Sequence, residues 1–421
     1  MKKRFVLLAF LLLLPGLFRI LKGNEINLLV LSKFFGAISL SSFCIIFILG
    51  CRSYILDKFF GSLSFSYRIH HYLTFIFFIS TFLHVIFYGA IYFALDWEFG
   101  LQSLLDMESV SVVSGWVSFL IVLILFFISY IQKWSHRLWL NIHRILILSF
   151  FISIVHFGSS VQSSGGWGNL VLALFLIFTL VVMLIHYFFP HYLRRYSNYI
   201  VEEVKVLNDQ ITEISLRPDL QPIQFEPGQF VYISIQCSKG CGVSHDFHPF
   251  TLDSSPLQPG CLRIAVRGIG DDTKKLIHIV PGNHAVVEGP YGNLLHGLKP
   301  QSRQLWIAGG IGVTPFVGYL RRWKSIIEHL PSESIILLLF LKTKSDHVFA
   351  TDLEGIQGLK LDVFYDDLHG ANSEILLKNN LPIDLCDREV VMSGSTKMIK
   401  KFKNQLKKLG KRKIRTEEFD L

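Results

Sequence analysis

Four histidines, His70, His84, His143 and His156, fall inside two membrane-length apolar stretches of this 421-residue chain. His70 and His84 are 14 residues apart, and His143 and His156 are 13 apart. At helical rise each pair spans about 20 Å. An imidazole in hydrocarbon is costly and calls for a partner. Neutral imidazole is a good iron ligand. Two helices carrying two histidines each can clamp two stacked haems, one histidine from each helix per haem. Pairing His70 with His143 and His84 with His156 would lay an electron path across a membrane.

Helical geometry sharpens the choice of ligands. At about 100° per residue, 14 residues fall about 40° short of four turns, so His70 and His84 share a face. His71 to His84 falls about 140° short, which makes His70 the better ligand. His143 and His156 have that same poor phase, so a kink or a π-bulge is expected between them. The plain alternative is histidines hydrogen-bonded to neighbouring helices. It accounts for one histidine more easily than for two matched pairs. His71, His136, His186 and His191 lie near span ends, where the plain reading suffices.

The elements that position these residues follow from composition. Residues 1–190 hold only 12 of the chain's 41 Lys/Arg and 6 of its 32 Asp/Glu. A span needs about 20 apolar residues, and six are expected, at 5–21, 28–50, 70–95, 109–131, 141–160 and 167–189. Lys2–Arg4 before an apolar run suggests a signal peptide. No small-residue cleavage site follows, however, so the first segment reads as a span. Lys2–Arg4, Arg52, Lys58, Arg68, Lys133, Arg137, Arg194 and Arg195 fall on one side. Asp96, Glu98, Asp106 and Glu108 fall on the other. The positive-inside rule then places both termini and the remaining half of the chain in the cytoplasm. Trp97, Trp134, Trp139 and Trp167 lie near span ends, as an aromatic belt would. This inside bias, with a basic tail from Lys400 to Arg415 near anionic lipid, accounts for the net charge of +9 without a nucleic-acid partner. The six cysteines are scattered, and Cys237 and Cys241 have no second pair to complete a metal site.

From Ser197 onward the pattern is that of a soluble protein. Short β-like runs at Tyr199–Leu207, Gln210–Leu216, Phe230–Gln236, Leu262–Arg267 and Ala285–Glu288, punctuated by Gly and Pro, suggest a small barrel. After Gln301 the chain changes to strand, glycine loop and helix. Gln304–Ala308 is followed by Gly309-Gly310-Ile311-Gly312-Val313-Thr314-Pro315, a helix to about His329, and a strand at Ile335–Leu341. This alternation predicts a parallel sheet wound with helices, with glycines letting backbone amides approach phosphate at a helix N-terminus.

Several short motifs agree with this layout. They are Pro227-Gly228-Gln229-Phe230, His248-Pro249-Phe250-Thr251-Leu252, Arg267 to Thr273 with Gly270 between, Glu288-Gly289-Pro290-Tyr291-Gly292, and Ala308 to Pro315. Together with the paired histidines, they make the chain resemble the NADPH oxidase and ferric reductase superfamily, most closely its bacterial NADPH-oxidase-like members. The resemblance runs through nearly all residues in order. It implies a six-helix transmembrane haem domain at 1–195, an antiparallel β-barrel FAD domain at 197–300, and an α/β Rossmann-like NAD(P)H domain at 301–421. It also implies FAD, two b-type haems and NADPH or NADH as cofactors, in a bacterial plasma membrane.

By the same resemblance, His248, Pro249, Phe250, Thr251 and Leu252 hold the flavin, and Arg267, Gly270 and Thr273 hold its pyrophosphate. Gly309, Gly310, Gly312, Thr314 and Pro315 hold the nicotinamide nucleotide, and Phe419 covers the flavin until nicotinamide displaces it. The chemistry is sensible independently. Thr251 can hydrogen-bond the flavin N5 edge, Phe250 offers an apolar wall, and Arg267 with the Thr273 hydroxyl can pair phosphate oxygens.

Two stretches depart from the pattern. Where the family has Cys-Gly-Pro near the nicotinamide, this chain has Ser393-Gly394-Ser395. Where the family offers arginine to an adenosine 2′-phosphate, it has Lys342 and Lys344. Lysine binds phosphate as a point charge without arginine's fork, so the lean is to NADPH over NADH. No calcium-binding loop or docking segment for an activator is recognisable, which implies a self-contained enzyme. Thr251, Ser393 and Phe419 are the expected catalytic residues. Electrons would leave at the outer haem edge to O2, giving superoxide, or to a ferric chelate. The reading from a different class is a haem electron-transfer protein serving a partner protein or a quinone.

Overall fold

The computed structural model describes residues 2–21, 27–94, 96–131, 136–161, 166–236, 246–255, 260–366 and 377–419. Trp134, Lys133, Cys237 and Cys241 lie outside the described residues. The chain falls into two compact units. The first comprises Met1–Ser53 and Phe65–Leu193, and the second Tyr54–Ser64 and Arg194–Leu421. Residues 54–64, expected within the membrane domain, thus belong with the second unit.

The first unit is helical: α1 (Lys2–Leu21), α2 (Leu28–Gly50), α4 (Leu63–Phe93), α5 (Trp97–Leu104), α6 (Val110–Ile131), α7 (His136–His143), α8 (Leu146–Val161) and α9 (Trp167–Phe188). Among the described residues five spans are long and apolar enough to cross a membrane, with α7 and α8 contributing to one of them. The first expected span falls in α1, where Leu8–Leu17 is the apolar stretch described, shorter than a span. Asn27 caps α2 by accepting from the Val30 amide at 3.0 Å, which fixes its start.

Helices in lipid associate through small and hydroxylated residues rather than hydrophobicity. Ser39 meets Thr81 at 2.6 Å between α2 and α4. Ser118 of α6 meets Ser149 and Ser153 of α8 at 2.9 and 2.8 Å. The distortion expected between His143 and His156 is present. Helix α7 ends at His143 and α8 begins at Leu146. Across the break, Ile145, Ile147 and Leu148 donate to carbonyls three residues back, each at 3.0 Å. Such turns wind about 20° tighter per residue, which recovers part of the missing phase.

The second unit opens with α3 (Tyr54–Phe60) and continues after residue 193. Strands β1 (Tyr196–Val206), β2 (Ile211–Pro218), β3 (Phe230–Gln236), β4 (His248–Thr251), β5 (Leu262–Arg267) and β6 (His284–Tyr291) form one antiparallel sheet in the order β4-β3-β6-β1-β2-β5. Leu252 bridges to Ile264 and draws the two ends together, as in a barrel. The inward residues of alternating strands, among them Tyr199, Ile214, Val231, Ile233, Ile264 and Val287, make its core.

The lobe expected to hold the nucleotide is a parallel five-stranded sheet in the order β11-β10-β7-β8-β9. Its strands are β7 (Gln304–Gly309), β8 (Ile335–Leu341), β9 (Leu359–Tyr365), β10 (Glu389–Ser395) and β11 (Ile414–Phe419). Helices α11 (Thr314–Ile327), α12 (Ala350–Leu353) and α13 (Thr396–Lys408) accompany it, and the single-turn α10 (Asp271–Lys275) closes a barrel loop. Every residue of β8 is buried, as a strand covered on both faces requires. Trp306, Leu337 and Leu339 pack on one face, and Leu305, Leu338 and Met392 on the other. The first of these cores also includes the barrel residues Ile211, Ala265, Leu294 and Leu298, so the two lobes share apolar packing.

Candidate functional site

In the membrane unit the four histidines meet in the expected pairs. The ring centroids of His70 and His143 are 6.3 Å apart, and those of His84 and His156 are 6.0 Å apart. Two metal–nitrogen bonds of about 2 Å, plus the distance from each nitrogen to its ring centre, span roughly 6 Å. The spacing therefore fits one iron between each pair.

The other ring nitrogen is committed in three of the four. Nδ1 of His70 donates to Ile46 O at 3.1 Å, that of His84 to Ser32 O at 2.9 Å, and that of His156 to Ser111 O at 2.7 Å. A carbonyl only accepts, so the proton sits on Nδ1 and Nε2 keeps its lone pair for a metal. His143 differs, because its buried Nδ1 has no hydrogen-bond partner and its ring stacks on Trp139 at 4.8 Å.

Two glycines make room for the second pair. A Cβ at Gly36 would lie 2.9 Å from His84 Nδ1, and one at Gly115 would lie 3.0 Å from His156 Nδ1. Among the described residues no three His, Cys, Asp or Glu side chains gather to hold a metal by themselves. Two imidazoles suffice where a macrocycle supplies the remaining ligands, so the donor set suits haem.

In the reductase unit the expected flavin residues lie on β4 and just beyond. His248, Phe250 and Thr251 pair with Ile233, Val231 and Phe230 of β3, with Pro249 between them and Leu252 following. Arg267 ends β5, where its guanidinium reaches Gln210 at 3.0 Å and Asp346 at 3.5 Å. The Thr273 hydroxyl accepts from the amides of Gly270 and Ile269 at 2.9 and 3.2 Å. It builds the loop that was expected to hold phosphate, and so is already engaged locally.

Strand β7 ends at Gly309, and Thr314 and Pro315 open α11 after one tight turn. Gly310 has φ +55°, and a Cβ there would lie 3.3 Å from the Arg267 guanidinium. A Cβ at Gly312 would lie 2.6 Å from Ser393 O, so the glycine loop rests directly on Ser393 and Gly394. Lys342 and Lys344 are exposed beyond the end of β8.

The sequence reading missed two carboxylates. Ser393 pairs in register with Glu417 on β11, a buried acid in the polar run Thr416-Glu417-Glu418. Glu417 Oε1 lies 3.5 Å from the Cβ position of Gly292, and that position is 3.1 Å from the Phe230 ring. Both oxygens of Asp57, on α3, accept from the Gly292 amide at 3.1 and 3.2 Å, and one accepts from Leu63 at 3.0 Å. Burial raises Asp57 above the usual carboxylate range, against its two amide donors. Burial, then the neighbouring Asp57, pushes Glu417 up to about 8.

Among the described residues, Thr251 Oγ1, Ser393 Oγ and Glu417 Oε2 are buried and have no hydrogen-bond partner. Such orphans are rare in folded proteins and call for one. A flavin ring edge, with its alternating donors and acceptors, fits them. Phe419 pairs through its backbone with Ser395, but its side chain lies outside the described residues.

Comparison with known proteins agrees with this division. Residues 35–154, which include three of the four histidines with His156 two positions beyond, match the ferric reductase like transmembrane component, and residues 196–294 match a FAD-binding domain. The chain is similar to a superoxide-generating NADPH oxidase heavy chain of Dictyostelium discoideum, 22% identical over 37% of this chain and 25% of that one. It is 28% identical to the electron transfer component of a probable NAD(+)-linked dihydroorotate dehydrogenase of Archaeoglobus fulgidus, over 42% of this chain and 74% of that one. It is 24% identical to the mitochondrial ferric reduction oxidase 3 of Arabidopsis thaliana, over 38% of this chain and 23% of that one. The chain thus spans about a quarter of the length of the two oxidases. With five apolar helices among the described residues and a ferric-reductase-like transmembrane component followed by a FAD-binding domain, the chain is an integral membrane protein whose two matched domains fit the NADPH oxidase and ferric reductase superfamily.

Proposed function

We propose that this chain is a transmembrane flavohaem oxidoreductase, passing electrons from cytoplasmic NAD(P)H through FAD and two b-type haems to an external acceptor. The observation that carries the proposal is the pair of 6.0–6.3 Å imidazole gaps, each bounded by histidines from different helices. O2, giving superoxide, is the preferred acceptor. With two histidines holding each haem iron, an acceptor would have to take its electron at the haem edge, which O2 can do. When bound, FAD supplies the conversion of a two-electron hydride into single electrons, and the haems supply a relay through the apolar helices.

The chain's own residues hold and orient. His70 with His143 and His84 with His156 would hold the two haems, one pair for each. Carbonyls of Ile46, Ser32 and Ser111 fix three of the rings. Thr251, Ser393 and Glu417 complete their hydrogen bonding on the flavin edge. Glu417 is protonated at neutral pH by virtue of its raised pKa, so it presents a donor there as Thr251 does. Arg267 and the Gly310 amide face anionic phosphate. Lys342 and Lys344 give a mild preference for a 2′-phosphate, and Phe419 covers the flavin. Six spans with both termini inside, a Rossmann-like nucleotide lobe and a bacterial plasma membrane complete the proposal.

The test is aerobic NAD(P)H oxidation by the purified chain alone, followed with a superoxide reporter. Suppression of the reporter by superoxide dismutase is expected. A dismutase-insensitive signal that needs ferric chelate would move the acceptor to iron. No oxidation without a partner protein or a quinone would overturn the self-contained reading.

A further inference from the structure

Arg321 lies on α11 with only 17% of its side chain exposed, and its guanidinium grips both lobes of the reductase unit. Within the nucleotide lobe, Nε and Nη2 donate to the two carboxylate oxygens of Asp352 on α12 at 2.8 and 2.9 Å. Toward the barrel, Nη1 donates to the backbone carbonyl of Asp253 at 3.0 Å and lies 3.2 Å from its carboxylate. Nη2 reaches Glu213 of β2 at 3.5 Å, and Arg263 of β5 approaches the same Glu213 oxygen at 3.8 Å.

Three carboxylates thus share two guanidiniums, with Asp253 fully buried. A buried cluster with surplus negative charge is a poor source of stability, because desolvation offsets the attraction. Its geometry is the more informative feature. One turn earlier on α11, a Cβ at Gly318 would lie 2.9 Å from Leu252 O, so the helix presses on the segment that carries Thr251. The N-terminus of the same helix carries the glycine loop seated on Ser393. A single rigid helix therefore connects the nucleotide loop to the strand end bearing Thr251.

We infer that Arg321 is a positioning residue: by clamping the Asp253 backbone against α11, it sets the distance between a nicotinamide held by the nucleotide lobe and a flavin edge at Thr251. It touches neither ring. The inference rests on the proposed NAD(P)H-to-FAD reaction. Asp253 provides a second handle. Burial, foremost, pushes it up to about 7, with Glu213 and Asp352 adding to the rise and Arg321 and Arg263 opposing it. Protonating Asp253 removes the surplus charge from the cluster, so the clamp and the transfer rate should respond to pH near neutrality.

The experiment is anaerobic stopped-flow reduction of the flavin in the full-length, cofactor-loaded protein, with saturating NADPH or NADH. Arg321→Met should slow flavin bleaching by about 10- to 100-fold, as small misplacements of reacting atoms do. Arg321→Lys, which lacks the fork, should fall between. Half-saturating nucleotide should move by less than about threefold, since ground-state binding is not what changes. Haem reduction from photoreduced flavin should keep its rate. Asp253→Asn should flatten the pH profile near 7. Lys324→Met, which removes an exposed pair with Glu328 on the same helix, should do nothing.

Should Arg321→Met not fold, Asp352→Asn keeps the packing, weakens the clamp, and is expected to slow bleaching in the same way. A wild-type bleaching rate in whichever of these variants folds would overturn the inference, as would slowing that appears only in half-saturation. If neither nucleotide bleaches the flavin of the unmodified protein, the proposed function fails instead.

Discussion

The membrane unit and the reductase unit arrange the polar groups of their candidate sites in opposite ways. In the membrane unit three imidazoles have Nδ1 bound to a backbone carbonyl, which leaves Nε2 with its lone pair. Backbone carbonyls of the helices themselves fix the orientation of these rings. In the reductase unit Thr251, Ser393 and Glu417 have buried atoms with no partner, beside a second buried acid. Burying such a group without a partner costs about 1–3 kcal/mol, so these atoms mark where a polar partner belongs. Haem retention should therefore fail by single residues, whereas flavin loading should change the stability and pH response of its whole unit.

The largest effect expected concerns the histidines. Each of His84→Ala and His156→Ala should cost one haem of two and leave the other low-spin, as read by pyridine haemochrome content and the Soret band. His70→Ala and His143→Ala should remove the partner haem. Retention of two haems by a His70→Ala, His71-intact protein would assign His71 in its place.

Next come the glycines beside the outer pair. Gly36→Ala or Gly115→Ala forces a methyl to about van der Waals overlap with an outer-pair ring, and overpacking of this kind costs about 1–3 kcal/mol. Weakened retention of the outer haem alone is expected. Equal loss of both would show that the pairs are not independently supported.

A smaller effect distinguishes the reductase unit. The Glu417 pKa is raised from 4.5 to about 8, so the folded state binds its proton more tightly than the unfolded one. The stabilising proton is fully present below about 4.5 and is lost as pH rises toward 8. Flavin-free protein should lose up to about 1.4 kcal/mol per pH unit in that window. Denaturant midpoints should show this slope, Glu417→Gln should flatten it, and FAD should reduce it by giving Oε2 a partner. A slope unaffected by Glu417→Gln would remove this residue from the account.

The smallest effect is nucleotide choice. A surface charge pair contributes about 1 kcal/mol at most, so Lys342→Ala with Lys344→Ala should lower the NADPH-to-NADH ratio of kcat/KM by about fivefold. An unchanged ratio would leave these lysines without a role.

What could be read in the sequence follows the range of the interactions responsible. Helix α2 keeps the expected bounds, because its 23 residues are predominantly apolar with a single charge, Lys33. The break between His143 and His156 was legible as a phase mismatch, because both ligands belong to one local segment. Strand β8 was legible as a continuous apolar run. Helix α4 begins at Leu63, two turns before the expected start, since Ser64, Ser66 and Arg68 hide a helix that packing sustains. Asp57 and Glu417 were illegible. Asp57 is 235 residues from the Gly292 amide that it accepts, and Glu417 is buried by the parallel pairing of β11 with β10. Arg321 and Asp253 look like ordinary surface charges until two lobes close on them. Acids and bases give no local sign that a distant strand will cover them.

The central claim is one electron path through two histidine-clamped haems. It is tested most directly by adding NADPH anaerobically to the purified, cofactor-loaded chain while recording flavin and haem absorbance together. The account predicts two haems per chain, flavin reduction first, and reduction of both haems afterwards. In His84→Ala protein the remaining inner haem should still be reduced. A chain that saturates with one haem, or whose haems stay oxidised while the flavin bleaches, would contradict it.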